Sequence, residues 1–475
     1  MSSFGSEVTH LSELVGHTFL LLVALPFSVF IPSLVLGGIM AGIEGWSFVD
    51  GFLYVGGDLV FYVLTSVAPT TTAGRVLDFF VSCTALGIFS WLMALIGALP
   101  FVDHTNSWIT AKSGGSKIGG VVLFFSILSP VVNILVSFAL ALPLSFMEGW
   151  SFKDAALYAE GLMVHCPSLA PASAAPKTTD GKIMVLLIAV YGLAVAVGWA
   201  VGVMLNIPAL NDMANYPQKL FPYKGVKLSA FVLFILIGLP ILISPVVFIG
   251  GGILAWLEEW PADDAFVYVG GNLVLIPLSS LAPTTFNGQL FDFFISCFGI
   301  GVFAFVIAAV GAMPFVDHAA ELMGGKVPGP AAVYFFAFKF FFIVMPLISA
   351  GVAVILGACI MSAEAWTFKD SFLYVVGILL QSPSIAPAST VPTTTAGKMI
   401  IILIATYSVS IPIGFGAGVI VASHGLDFAS GKLRDWLPHS FPFLHLAELT
   451  GYSDEEDDDE EDDEEKKNGK LATAY

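Results

Sequence analysis

Long apolar runs alternate with short mixed ones along this chain with a regular beat. Eight runs, at 13–40, 76–102, 119–146, 183–206, 228–255, 290–314, 331–360 and 399–422, are long and apolar enough to cross a bilayer as helices. After each odd-numbered run comes a shorter block of fixed spacing: a Trp, an acid four residues on, a Tyr at eight, a Gly at eleven, then Ser-x-Ala-Pro. The copies are Trp46, Asp50, Tyr54, Gly57, Ser66; Trp150, Asp154, Tyr158, Gly161, Ser168; Trp260, Asp264, Tyr268, Gly271, Ser280; and Trp366, Asp370, Tyr374, Gly377, Ser384. At about 100° per residue those first four positions fall within about 80° of one another, so each block predicts a short helix that presents one stripe. Four such copies predict repeated modules set around a common axis.

The halves match as well as the quarters. Trp46 and Trp260 are 214 residues apart and Trp150 and Trp366 are 216 apart, while ProPheValAspHis occurs at 100–104 and again at 314–318. Residues 1–225 and 226–450 therefore read as two halves, each containing two span-block-span repeats. With two spans per quarter, successive quarters enter the membrane in the same direction, and repeats of that kind share an axis along the membrane normal.

The block reads as a half-helix. Ser47 with Asp50, Ser151 with Asp154 and Thr367 with Asp370 have capping-box spacing, and Pro261 suits the helix start in the third copy. Each Pro of Ser-x-Ala-Pro must then end or bend the helix. Irregular backbone is tolerated at membrane depth only where protein buries it or where it lines a watery cavity. The expected fold is thus all-α, about eight transmembrane helices with four re-entrant pore loops in pseudo-fourfold arrangement. The carboxyl ends of the half-helices, each bearing about half a negative charge, would favour a cation near the axis. The alternative is that each block is a third complete span, giving twelve crossings and neighbouring quarters of inverted direction, as in secondary transporters.

Composition removes the soluble classes. Hydrophobic residues make up 57% of the 475, charged residues only 11%, and the mean hydropathy is +0.89, against about 25% charged in soluble proteins. The net charge of -18 is dominated by twelve consecutive acids at Asp454–Glu465. Such a block repels itself, so 451–475 is expected to be a disordered acidic tail. Residues 1–12 contain no Lys or Arg, so the first apolar run is expected to anchor itself rather than be cleaved. Linkers between quarters and the stretch after the last span hold eight Lys or Arg against six on the block side, which puts the termini in the cytoplasm by a narrow margin. Thirteen acids lie on the block side, among them Glu44, Glu148, Glu258 and Glu364, each two residues before its Trp, and they imply an outer negative field.

The blocks and the segments after them resemble the two-pore-domain potassium channels, in which a pore helix opening with TrpSerPhe, an acid and a Tyr leads through a selectivity filter to a Pro, a Thr, a Gly and a basic residue. Here the first copy has Trp46, Ser47, Phe48, Asp50, Pro69, Thr71, Gly74, Arg75, and the second has Trp150, Ser151, Phe152, Asp154, Pro176, Thr178, Gly181, Lys182. The fourth has Trp366, Thr367, Phe368, Asp370, Pro392, Thr394, Gly397, Lys398, then Tyr407, Ile411 and Pro412, similar to the family's inner-helix motif. The third matches through Trp260, Pro283, Thr285 and Gly288. The resemblance implies a pore-loop cation channel in which one chain supplies four loops. The filter is degenerate: 61–69, 165–171, 277–283 and 381–387 contain no Gly, so potassium selectivity does not follow.

These readings name the candidate residues. For the pore and its selectivity they are Ser66, Pro69, Ser168, Pro171, Ser280, Pro283, Ser384 and Pro387, with Asp58 and Glu160 adding charge nearby. The pore-helix anchors are Trp46, Asp50, Trp150, Asp154, Trp260, Asp264, Trp366 and Asp370. His165, and the pairs Asp103 with His104 and Asp317 with His318, read first as structural. Cys83, Cys166, Cys297 and Cys359 lack zinc or disulfide spacing and read as small membrane-core residues. No nucleophile triad, metal motif or phosphate loop stands out, so neither an enzyme nor a cofactor is expected. The expected partners are the lipid bilayer and a permeant cation, with no nucleic acid, and function as a single chain or a homo-oligomer. The leading expectation is an ion-channel-like membrane protein conducting a cation passively, the alternatives being a twelve-span secondary transporter and a non-conducting pore-like scaffold.

Overall fold

The structure, a computed structural model, describes residues 25–423 except 98–99, 114–116, 172–173, 206–226, 277, 280, 312, 326, 328–329, 383–384 and 387–389. The acidic tail and the first 24 residues lie outside the described residues. Helices make up nearly all of the rest, with no strand among the described residues.

Among the described residues, eight helices are long and apolar enough to cross a membrane: Leu25–Glu44, Thr72–Ser90, Phe124–Glu148, Thr179–Met204, Phe231–Glu258, Phe286–Gly311, Phe335–Glu364 and Thr395–Val421. The protein is a multi-pass integral membrane protein. Within each successive pair sits a 12-residue helix, at Phe48–Leu59, Phe152–Met163, Ala262–Leu273 and Phe368–Leu379. At 1.5 Å per residue each is about 18 Å long, too short for a hydrocarbon core of about 30 Å. The chain is therefore four repeats of outer helix, half-helix and inner helix.

Burial separates the two kinds of span. The outer helices bury 28%, 33%, 22% and 28% of their apolar windows, and the inner ones 50%, 83%, 67% and 72%. Outward-facing Phe27, Ile31, Leu135, Phe138, Ile241, Ile249, Leu347 and Ile355 supply the lipid-facing surface. The inner helices meet in a ring, the first and third each packing on both the second and the fourth. The ring has two-fold character within its four-fold plan. Inner helices two and four contain π-helical stretches at Gly192–Gly198 and Val409–Phe415, whereas Phe286–Gly311 runs as unbroken α-helix. Tyr407, in the motif read from the sequence, donates its hydroxyl to the Leu236 carbonyl at 3.1 Å and ties inner helix four to the neighbouring outer helix.

Candidate functional site

Each quarter turns twice in succession, and both turns are built alike in all four. The outer helices end on a left-handed residue: Gly45, Gly149, Glu259 and Ala365 have φ of 71, 67, 57 and 55°. The half-helix then starts. Ser47, Ser151 and Thr367 accept from the N–H of Asp50, Asp154 and Asp370 at 3.1, 3.1 and 3.2 Å and donate back to the same carboxylates, while Pro261 starts the third without a side-chain cap. Along each stripe the Trp meets the Tyr eight residues later edge to face, with ring centroids 5.2, 5.2, 5.5 and 5.1 Å apart.

At the other end the half-helices also stop on a left-handed residue, none of them glycine: Phe61, His165, Leu275 and Gln381, with φ of 58, 53, 57 and 54°. Each costs about 1 kcal/mol against an ordinary conformation, and the fourfold repetition marks a constrained turn. The next N–H folds back onto the carbonyl of the block's glycine, as Tyr62 onto Gly57 at 2.8 Å and Cys166 onto Gly161 at 2.7 Å. A Cβ at those glycines would run into the returning backbone, which is why position eleven of the block is Gly. His165 thus has counterparts in its backbone position, though none in its side chain.

A carboxylate closes each excursion. Glu44 accepts from the N–H groups of Thr70 and Thr71 at 2.9 and 3.0 Å and from the Thr71 hydroxyl at 2.5 Å. Glu148 does the same with Lys177 and Thr178, Glu258 with Thr284 and Thr285, and Glu364 with Thr393 and Thr394. These acids, read from sequence as a diffuse outer field, act locally, because the last residue of each outer helix caps the start of the inner helix. The half-helix and the irregular segment after it therefore begin and end at one point. Gly74, Gly181, Gly288 and Gly397 lie so close under the carboxylates that a Cβ would collide with them.

The half-helix ends converge. Phe61, His165 and Leu275 line one chamber of about 300 Å³, and Phe61, Leu275 and Gln381 line a second of about 160 Å³, so the turns of all four quarters border the two. Tyr62, Val63, Ile276 and Leu278 are shared by both, and most of the wall is apolar. Below the chambers, Phe61 packs edge-on against Phe89 of inner helix one at 5.4 Å, and Phe89 against Phe303 of inner helix three at 6.0 Å. Phe89 and Phe303 are 1% and 2% exposed, so inner helices one and three meet here through a buried aromatic contact.

Two buried carboxylates stand beside the converging turns. Asp292 on inner helix three accepts from the Tyr268 hydroxyl at 2.7 Å, the Asn272 amide at 2.8 Å, the Cys166 thiol at 3.1 Å and the Ser168 hydroxyl. Asp78 on inner helix one accepts from Tyr54 at 2.8 Å and from Ser382 at 3.1 Å, and the Asp58 carboxyl lies within hydrogen-bond reach of it. Each acid joins its own half-helix to the turn of the preceding quarter, the fourth quarter reaching round to the first. No family model and no curated protein matches this chain.

The structure sorts the candidates read from sequence. Ser168 is buried on Asp292, Ser66 is exposed, and Pro69 and Pro283 are buried while Pro171 is half-buried. Ser280, Ser384 and Pro387 lie outside the described residues. Asp58 lines the second chamber, with Oδ2 free of protein partners. Glu160 faces away from both chambers, toward Ser137 of its own outer helix. The four Trp and their acids sit at the half-helix starts. Asp317 and His318 are exposed on the helix Pro314–Leu322, and Asp103 and His104 lie on the helix Pro100–Lys112. Cys83, Cys166 and Cys297 are buried and Cys359 faces outward. Among the described residues no cluster of three His, Cys, Asp or Glu is set to hold a metal ion.

Asp78 and Asp292 were not among those candidates. The signal was present: both follow the block's Tyr by 24 residues, both precede PhePhe, and each is an acid inside an otherwise apolar span, where an ionisable group is a functional or bonding site by default.

Proposed function

We propose that the protein is a cation conductor of pore-loop architecture, whose four half-helices and the turns after them dip into the membrane and form the entry to a central path. The observation that carries this reading is the convergence of Phe61, His165, Leu275 and Gln381 on two adjoining chambers. Those residues follow the negative ends of four half-helices, and Asp58 adds a carboxylate to the wall. The closure of each excursion by Glu44, Glu148, Glu258 and Glu364 supports a segment that enters and leaves on one side. With only eight helices of spanning length among the described residues, the twelve-span transporter loses its main support. Filter carbonyls would come from irregular backbone after the left-handed turns, and potassium is one candidate ion among the monovalent cations.

The Phe61, Phe89, Phe303 stack gives the path an apolar gate in its shut state. The same stack favours a second reading, a pore-like scaffold that does not conduct. Passive potassium and sodium flux from liposomes separates the two. The wild-type protein should leak slowly, and Phe89→Ala with Phe303→Ala should raise the flux at least about tenfold by opening the stack. An intact double variant that leaks no more than empty liposomes supports the scaffold.

A further inference from the structure

One side chain of the second quarter has no counterpart in the other three. Glu160 stands where the repeat has Gly56, Gly270 and Val376. At Gly56 and Gly270 the inner helix of the next quarter closes directly on the half-helix. An added Cβ would lie 2.7 Å from Leu186 in the first case and 3.1 Å from Ile402 in the second. At Glu160 that seam stands open. A cavity of about 690 Å³ separates the half-helix from inner helix three, walled by Phe138, Phe152, Leu157, Phe286 and Phe293. Phe138, Phe152 and Phe286 are 50%, 46% and 77% exposed on the lipid-facing side, so the cavity opens sideways.

Its inner end is polar and incomplete. Glu160 is 6% exposed; Oε2 accepts from the Ser137 hydroxyl at 2.5 Å, and Oε1 has no partner. Lys153 lines the same cavity seven residues earlier, about 10 Å along the helix, and the Gln289 amide donates to the Pro283 carbonyl instead. A buried carboxylate oxygen without a partner is costly, and the complement it lacks is a cation with an apolar body.

We propose that this seam is a binding site for a freely diffusing lipophilic ammonium compound, its charge on Glu160 Oε1 and its hydrocarbon part among the phenylalanines, reached from the bilayer. The site does not depend on conduction and would bind in a non-conducting scaffold equally well. The test is native mass spectrometry of the full chain in nanodiscs with decyltrimethylammonium as probe and decanol and decyl sulfate as controls. Wild-type protein should take up one saturable equivalent of the ammonium probe. Glu160→Gln should weaken binding about tenfold or more, the loss of the ion pair between the carboxylate and the quaternary head. Phe293→Ala, which strips part of the apolar wall and leaves the carboxylate, should weaken binding about threefold or more and serves if the Gln variant fails to fold. Equal affinity in Glu160→Gln, equal uptake of decanol, or a resident phospholipid that the probe cannot displace would overturn the proposal.

Discussion

The first and second halves hold a buried carboxylate at the same place and satisfy it differently. Asp292 is surrounded by donors, with a phenol, an amide, a hydroxyl and a thiol all directed at it. Asp78 has a phenol and a hydroxyl, and where the second half offers Asn272 the first offers another acid, Asp58. A second carboxyl group can make that contact only by sharing a proton, because two ionised carboxylates repel. The same scaffold thus makes one acid a structural hub and sets a second carboxyl group beside the other, on the wall of the 160 Å³ chamber. Repetition fixes the frame, and single departures from it carry the chemistry.

That contrast breaks most sharply at the hub. Asp292→Leu strands four donors at once and should cost about 3–5 kcal/mol, read as lost monodisperse protein and a lowered melting temperature. Asp78→Leu strands Tyr54 and Ser382 but also relieves Asp58 of a neighbouring acid, so its loss should be visibly smaller; equal losses would mean that the two sites are not different in kind.

The carboxylate clamps come next, and they should not distinguish the halves. Glu44→Ala and Glu258→Ala each remove an acceptor for two backbone N–H groups and two hydroxyls, and each should cost about 1–3 kcal/mol by thermal melting. A clamp effect confined to one half would contradict the shared construction.

Exchanging the departing residues sharpens the comparison further. Asp58→Asn copies the second half into the first and should leave stability within about 1 kcal/mol while lowering cation flux. Asn272→Asp removes the Asp292 amide contact and should destabilise by about 1–2 kcal/mol. The reverse pair of outcomes would show that Asp58 is the structural acid.

The smallest effect belongs to the ion pair between quarters three and four, where Lys398 reaches Asp264 at 2.5 Å and Asp263 at 3.0 Å. Lys398→Met should cost about 0.5 kcal/mol, a difference that shrinks in high salt. The Lys398 hydrogen bond holds the Asp263 carboxyl below its usual range. A depressed carboxylate stabilises above its unfolded range, so this contribution is present at neutral pH and fades as pH falls through the folded value.

Much of this frame is legible in the sequence because it rests on local rules. Span length, the Ser and Thr caps, and the Trp-to-Tyr stripe depend on residues within a few turns of one another. The roles of Glu44 and Gly74 are harder to read, since the Glu44 carboxylate meets Thr71 across 27 positions of chain through a returning segment. Ser168 and Asp292 lie 124 residues apart and Ser382 and Asp78 304 apart, and no local periodicity brings such pairs together. The Ser-x-Ala-Pro motif treats Ser66 and Ser168 alike, yet the second block is two residues shorter between its Trp and its Ser, and the two serines end in different surroundings. Across a length change, a shared motif gives equivalent letters without equivalent positions.

The most direct test of the account is the current carried by the Phe89→Ala, Phe303→Ala protein in a planar bilayer under a salt gradient. A path lined by half-helix carboxyl ends and Asp58 predicts a steady current that rises with voltage, reverses near the cation equilibrium potential and falls when Asp58→Asn is added. A current that reverses near the anion potential, a flux that requires a second solute, or no current from folded protein would contradict it.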